Sequence, residues 1–195
     1  MRGLVRVGAA VPSLALGNVK ENMKRHLAMM REAKEKHVSI VTFPELSLTG
    51  YTCGDLFFQR RLLDDVTDAL LALKDEMPEG ILAVVGAPLE IEGALYNCAV
   101  VLHKGEIISA VPKTFLPNTG EFYEKRWFQS GDARRDASVA IPKLKTDVCR
   151  QAIFETEDGV CFGIELCEDL WAPLPPSTML SVEGAEIILN LSASN

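Results

Sequence analysis

LYNCAVVLHKGEIISAVPK, Leu95–Lys113, is the stretch whose reading decides the fold. Two β-rich runs, Leu95–Leu102 and Glu106–Val111, flank a short polar break centred on Lys104-Gly105, the composition of a tight antiparallel turn. Upstream, Ile81–Ala87 is another short apolar run. Before it the spacing of Leu62, Leu63, Val66, Leu70 and Leu73 predicts an amphipathic helix over Gln59–Glu76. Further out lie a β-rich run at Ser39–Phe43 and a helix opened by Asn18 and Glu21 at capping-box spacing, with Met23, Leu27, Met30 and Ala33 on one face. A strand-like Leu4–Val11 begins the chain. Downstream, Cys161–Leu166 and Glu186–Leu191 are strand candidates separated by a helix starting near Pro176, while Gly131–Gly159 shows no clear period. Strands interleaved with helices predict an α/β domain, and the hairpin makes its sheet mixed.

Composition narrows the class of function. The 195 residues are 48% hydrophobic with mean hydropathy +0.12, enough to bury a substantial core. A net charge of −7 and a pI near 5.1 argue against nucleic acid or an anionic membrane as main partner, which leaves a small molecule or another protein. No apolar run approaches the roughly 18 residues that a membrane span needs. The cysteines (Cys53, Cys98, Cys149, Cys161, Cys167) are odd in number with no C-x-x-C pair, which fits free thiols and a cytoplasmic protein. Asn190-Leu191-Ser192 matches a glycosylation acceptor but lies in a strand-like run. The sequence stops just behind that run, so the fold is expected to be cut short there.

In open α/β sheets ligands gather beyond the carboxyl ends of strands, and three polar residues follow strand-like runs directly. Glu45 follows Ser39–Phe43 through Pro44, Lys113 follows Glu106–Val111 through Pro112, and Cys167 follows Cys161–Leu166. They supply a base, a cation and a nucleophile. A free thiol with a pKa of about 8.5 needs a base at neutral pH. Histidine is not expected to serve: His26 and His37 flank what reads as an exposed basic helix, Lys20–Lys36, and His103 sits at the hairpin turn. Glu45 can serve if burial raises its pKa, and the Lys113 ammonium can then hold an oxyanion. Each residue also has a plainer reading, as a small core cysteine, a Pro-Glu turn and a surface lysine. Glu165, Cys167, Glu168 and Asp169 form the only dense set of metal-ligand types, but strand alternation turns neighbours to opposite faces, so no metal site is expected. Neither G-x-G-x-x-G nor a P-loop is present.

The flanking sequences separate these readings. TFPELSLTGY (Thr42–Tyr51), PKTFLPNTGEFYEKRWF (Pro112–Phe128) and IELCEDLW (Ile164–Trp171) resemble, in order and spacing, the three signature blocks of the nitrilase superfamily of carbon–nitrogen hydrolases. More narrowly, the continuation CGDLFFQ (Cys53–Gln59) and the EFYEKRWF block resemble the glutaminase domain of glutamine-dependent NAD synthetases. The resemblance runs from about Leu4 to Asn195 and covers the N-terminal two-thirds or so of that domain.

The resemblance implies an α-β-β-α sandwich with mixed sheets and a Glu45–Lys113–Cys167 triad that hydrolyses glutamine. It places substrate contacts at Thr119, Glu168 and Ser194, with Tyr51 and Phe122 as pocket walls. The amidase step would need no cofactor. ATP and Mg2+ would act at a synthetase domain of the same polypeptide, to which none of these residues corresponds, and which would use the ammonia to turn deamido-NAD into NAD. A homo-oligomer is expected. The sequence departs from the pattern at Thr119, where relatives commonly carry tyrosine, and a further basic substrate contact would lie beyond Ser194. Two alternatives stay open: a stand-alone amidase, nitrilase or carbamoylase using the same triad, and an inactive truncated fragment.

Overall fold

The Leu95–Lys113 hairpin forms the middle of a six-stranded sheet in the computed structural model, which describes residues 4–133, 141 and 143–193. Its strands, in spatial as well as chain order, are β1 (Val7–Ala9), β2 (Ile40–Thr42), β3 (Leu82–Ile91), β4 (Ala94–His103), β5 (Glu106–Pro112) and β6 (Asp147–Val148). β1, β2 and β3 are parallel neighbours, β3–β4–β5 are antiparallel, and β6 runs parallel to β5. The directions of β2, β3 and β5 therefore coincide, and their carboxyl ends share one edge of the sheet. A second sheet holds β7 (Phe154–Glu155), β8 (Cys161–Leu166) and β9 (Ile187–Leu191), with β8 antiparallel to β7 and parallel to β9.

Strand alternation divides the core into two layers. Val41, Ala83, Val85, Ala87, Cys98, Val100 and Leu102 face helices α1 (Val19–Glu35) and α2 (Arg60–Glu76). The intervening Ile40, Val84, Ala99 and Val101 meet Phe162, Ile164 and Leu166 of β8 and Leu189 and Leu191 of β9. With both faces of the first sheet covered, its strands carry nearly continuous apolar sequence. The outer face of β8 receives the third helix, α3 (Pro176–Val182): Gly163 lies against Leu180, where a Cβ would stand 2.8 Å from the leucine Cδ1, and Glu165 accepts the Ser177 N–H at 3.1 Å. Helices thus flank a pair of mixed sheets, the expected sandwich.

Three local expectations change. β1 is only three residues long, because as an edge strand it is held by β2 alone. The run expected to end at Ala87 continues through Pro88 to Ile91 and turns through Glu92-Gly93, both at positive φ, into β4. Proline is tolerated there because β2 pairs with β3 only as far as Val84, so only β4 lies beside Pro88. His26 is fully buried on α1 although that helix read as exposed; its neighbours Asn22, Leu27 and Met30 are buried with it.

Candidate active site

Pro44 ends the extended run after β2, and the chain folds back so that the Glu45 side chain enters the interior. Leu46 adopts φ +51°, and β3 passes so close at Gly86 that a Cβ there would overlap Leu46 N and the Pro44 carbonyl oxygen. Glu45 is 1% exposed. Lys113, leaving β5, is equally buried, and its N–H donates to the Asn97 carbonyl at 2.8 Å. Cys167, buried at the end of β8, takes φ +43°, a conformation unfavourable for a residue with a Cβ that marks a sharp strand-to-turn reversal.

The Lys113 ammonium donates to Glu45 Oε1 and to Glu124 Oε1, both at 2.6 Å. Glu124, 1% exposed, lies in the 3-10 turn Glu124–Arg126. Asn97 Nδ2 adds a hydrogen bond to Glu45 Oε1 at 2.7 Å and a longer one to Glu124 Oε2 at 3.4 Å, and the Tyr51 hydroxyl donates to Glu124 Oε1 at 2.6 Å. Glu45 Oε2 is buried with no hydrogen-bond partner among the described residues, so it is the oxygen left to take a proton. Burial, the largest influence, and the nearby Glu124 charge raise the Glu45 carboxyl above the usual range, with Lys113 opposing. Burial alone would lower the Lys113 pKa, but the charges of Glu45 and Glu124 outweigh it and the pKa is raised. The cluster is a permanently charged lysine between two carboxylates, one of which has a lifted affinity for protons.

Asp169 joins the nucleophile turn to this cluster. Its Oδ1 accepts the Thr114 and Phe115 N–H groups at 3.1 and 2.7 Å, immediately after Lys113, and its Oδ2 accepts the Leu166 N–H at 3.0 Å, immediately before Cys167. One buried carboxylate therefore clamps the two segments together. Burial pushes its pKa up to about 6 despite the three N–H donors. Burial, then its bond to Glu124, raises the Tyr51 pKa, with smaller electrostatic effects of Glu45 and Cys167 in the same direction. The site thus holds a carboxylate with raised proton affinity beside a buried cation, clamped to the turn that carries a thiol, and these are the kinds of group that acyl transfer through a cysteine requires.

The expected substrate contacts are placed less uniformly. Tyr51 and Phe122, both half-buried, meet edge to face with ring centroids 6.2 Å apart. Thr119 is exposed in a turn closed by the Phe122 N–H donating to its carbonyl at 3.1 Å, and Glu168 is half-buried. Ser194 lies outside the described residues. The sequence reading missed Asn97, Glu124 and Asp169 as parts of the site. Asn97 left one signal, a lone amide in the apolar run Tyr96–Leu102. Glu124 and Asp169 stood inside the quoted blocks, with nothing local to separate them from the neighbouring acids Glu121 and Glu168.

Comparison with known proteins assigns the family. Residues 6–195 match the carbon–nitrogen hydrolase family. A glutamine-dependent NAD(+) synthetase of Mycobacterium tuberculosis is 37% identical over 98% of this chain and 29% of its own length, and one of Rattus norvegicus is 32% identical over 89% and 25%. The chain thus spans less than a third of these curated relatives. Among solved structures, a glutamine-dependent NAD(+) synthetase from Cytophaga hutchinsonii superposes with TM-score 0.84 at 28% identity, over 97% of this chain and 30% of that one. An amidase from Nesterenkonia sp. shares the fold at TM-score 0.74 and 18% identity, over 97% of this chain and 65% of that one. A match over nearly the whole chain, together with a buried Glu–Lys cluster clamped to a cysteine turn, makes the protein a member of the carbon–nitrogen hydrolase family.

Proposed function

We propose that this chain is the glutaminase part of a glutamine-dependent NAD synthetase and that Glu45, Lys113 and Cys167 hydrolyse the side-chain amide of glutamine. The observation that carries the reading is the Lys113 ammonium, buried and bound at 2.6 Å to each of two carboxylates. The relatives' names supply the substrate.

Glu45 takes the Cys167 thiol proton, and the sulfur bonds to the amide carbon while the carbonyl oxygen becomes an anion facing Lys113. Collapse of this intermediate breaks the C–N bond, and the proton on Glu45 passes to the departing nitrogen, which leaves as ammonia. Water then attacks the thioester, giving a proton to Glu45; the C–S bond breaks, glutamate leaves, and the thiol recovers its proton. Thr119, Glu168 and Ser194 would contact the substrate, with Tyr51 and Phe122 as walls. The ammonia would serve ATP-dependent amidation of deamido-NAD at a synthetase domain of the same polypeptide, where ATP and Mg2+ act, in a cytoplasmic homo-oligomer. This chain would be the N-terminal two-thirds or so of that glutaminase domain.

The test is ammonia release from glutamine by the full-length protein and by Cys167→Ala. The variant is expected to release none above background. Release at the wild-type rate would overturn the assignment.

A further inference from the structure

The position of Glu45 depends on the turn Pro44–Leu48, and that turn is gripped from two sides. On the sheet side, the Phe43 N–H donates to Val84 O at 2.9 Å and the Leu48 N–H to Gly86 O at 3.1 Å. On the helix side the grip comes from two polar side chains of α1, four residues apart and both fully buried. Asn22 Nδ2 donates to the Leu48 carbonyl at 3.0 Å and to the Ala15 carbonyl at 2.9 Å, while its Oδ1 accepts the Ala15 N–H at 2.8 Å. His26 lies one helical turn on, its ring tilted against Phe43 with centroids 4.4 Å apart, and its Nε2 is 2.9 Å from Ser47 Oγ.

The tautomer of His26 follows from its partners. Nδ1 is 2.7 Å from the Asn22 carbonyl oxygen, which can only accept, so Nδ1 carries the hydrogen. Burial lowers the ring's pKa to about 4 against the opposing Asn22 bond, so the imidazole is neutral near pH 7 and Nε2 has no proton. Nε2 must then accept from the Ser47 hydroxyl. Ser47 stands two residues beyond Glu45 in the same turn, where its N–H donates to the Pro44 carbonyl at 3.2 Å, so a shift of the turn's backbone carries both residues. Nothing in the hydrolytic chemistry uses this histidine directly.

We propose that His26, as the neutral Nδ1–H tautomer, is a positioning residue: by accepting from Ser47 it holds the Pro44–Leu48 turn and aims the Glu45 carboxylate at Lys113 and the Cys167 thiol. Asn22 orients the imidazole through its carbonyl and holds the far end of the turn through its amide. The proposal rests on the reading of Glu45 as general base.

Two measurements on the full-length protein test it, using Ser47→Ala, His26→Leu and His26→Gln. Steady-state glutamine hydrolysis gives kcat and KM. Alkylation of Cys167 by iodoacetamide, followed peptide by peptide across pH, reports whether Glu45 still serves the thiol and needs no substrate. Loss of the Ser47 bond is expected to lower kcat about tenfold or more with KM within about twofold, and to move the pH profile of Cys167 alkylation. His26→Gln, whose amide oxygen can replace Nε2 as acceptor, should retain more activity than His26→Leu. If kcat per folded molecule and the alkylation profile stay within about twofold of wild type in Ser47→Ala, the histidine is only a core residue and the proposal is overturned. Should His26→Leu fail to fold, Ser47→Ala decides alone, since it removes a single oxygen. A wild-type protein that releases no ammonia from glutamine would sink the substrate assignment, while the alkylation profiles would still decide the role of His26.

Discussion

Replacing Asp169 by asparagine separates the clamp's contribution to catalysis from its contribution to stability. Asparagine keeps the shape but offers one acceptor oxygen in place of two, so its NH2 group must face a backbone N–H, either Leu166 or the Thr114–Phe115 pair. A buried donor left unsatisfied costs about 1–3 kcal/mol. Against this, burial lifts the Asp169 carboxyl from the ordinary 3.8 to about 6. That rise, about two pH units, means that the ionised side chain weakens the fold by about 3 kcal/mol at neutral pH, a penalty the neutral amide does not carry. The two effects nearly cancel, so at about pH 7.5 the variant should lie within about 2 kcal/mol of wild type.

At lower pH the balance shifts in a known direction. A folded pKa above the unfolded one stabilises the fold fully below about pH 4 and loses that stabilisation as pH rises through about 6. Urea unfolding of both proteins should therefore show wild type gaining roughly 2–2.5 kcal/mol on Asp169→Asn between about pH 7.5 and pH 4. Glu45, present in both, cancels in the difference. At neutral pH kcat should still fall about tenfold or more, because the Lys113 and Cys167 segments lose their common anchor. Parallel stability curves across pH, or a kcat equal to wild type, would refute the reasoning.

Two further substitutions address the rest of the site. In Lys113→Met the carboxylates of Glu45 and Glu124 remain buried without their ammonium, so urea unfolding should register a loss of about 3–5 kcal/mol and ammonia release should drop by about a hundredfold or more. Gly86→Ala brings a methyl group onto the backbone of Pro44–Leu46, where no flexible side chain can yield; thermal unfolding should show a loss of about 1–3 kcal/mol together with a lower kcat.

Much of the fold was legible because its signals are local. β4 and β5 carry near-continuous apolar sequence since helices cover one face and β8 and β9 the other. Leu27, Met30 and Ala33 repeat at helical spacing for the same reason. Where a local signal pointed the wrong way, a distant neighbour had overruled it. Pro88 looked like the end of a strand because its tolerance depends on how far β2 extends beside β3. His26 looked exposed among lysines and arginines because the groups that satisfy it, Ser47 and Phe43, come from another element.

The candidate site divides along the same line. Sequence alone determined that an acid, a cation and a thiol each follow a strand, and the shared direction of β2, β3 and β5 brings Glu45 and Lys113 to one edge of the sheet. Tertiary structure decided the company they keep. Tyr51 meets Glu124 across 73 residues, Lys113 meets Glu45 across 68, and Asp169 reaches Thr114 across 55. Periodicity along a chain records which face of an element is buried, because burial acts on each residue where it stands. Hydrogen bonds between distant turns depend on how whole elements pack, and no short stretch of sequence encodes that, so the second carboxylate, the aspartate clamp and the histidine behind Glu45 became visible only in the folded protein.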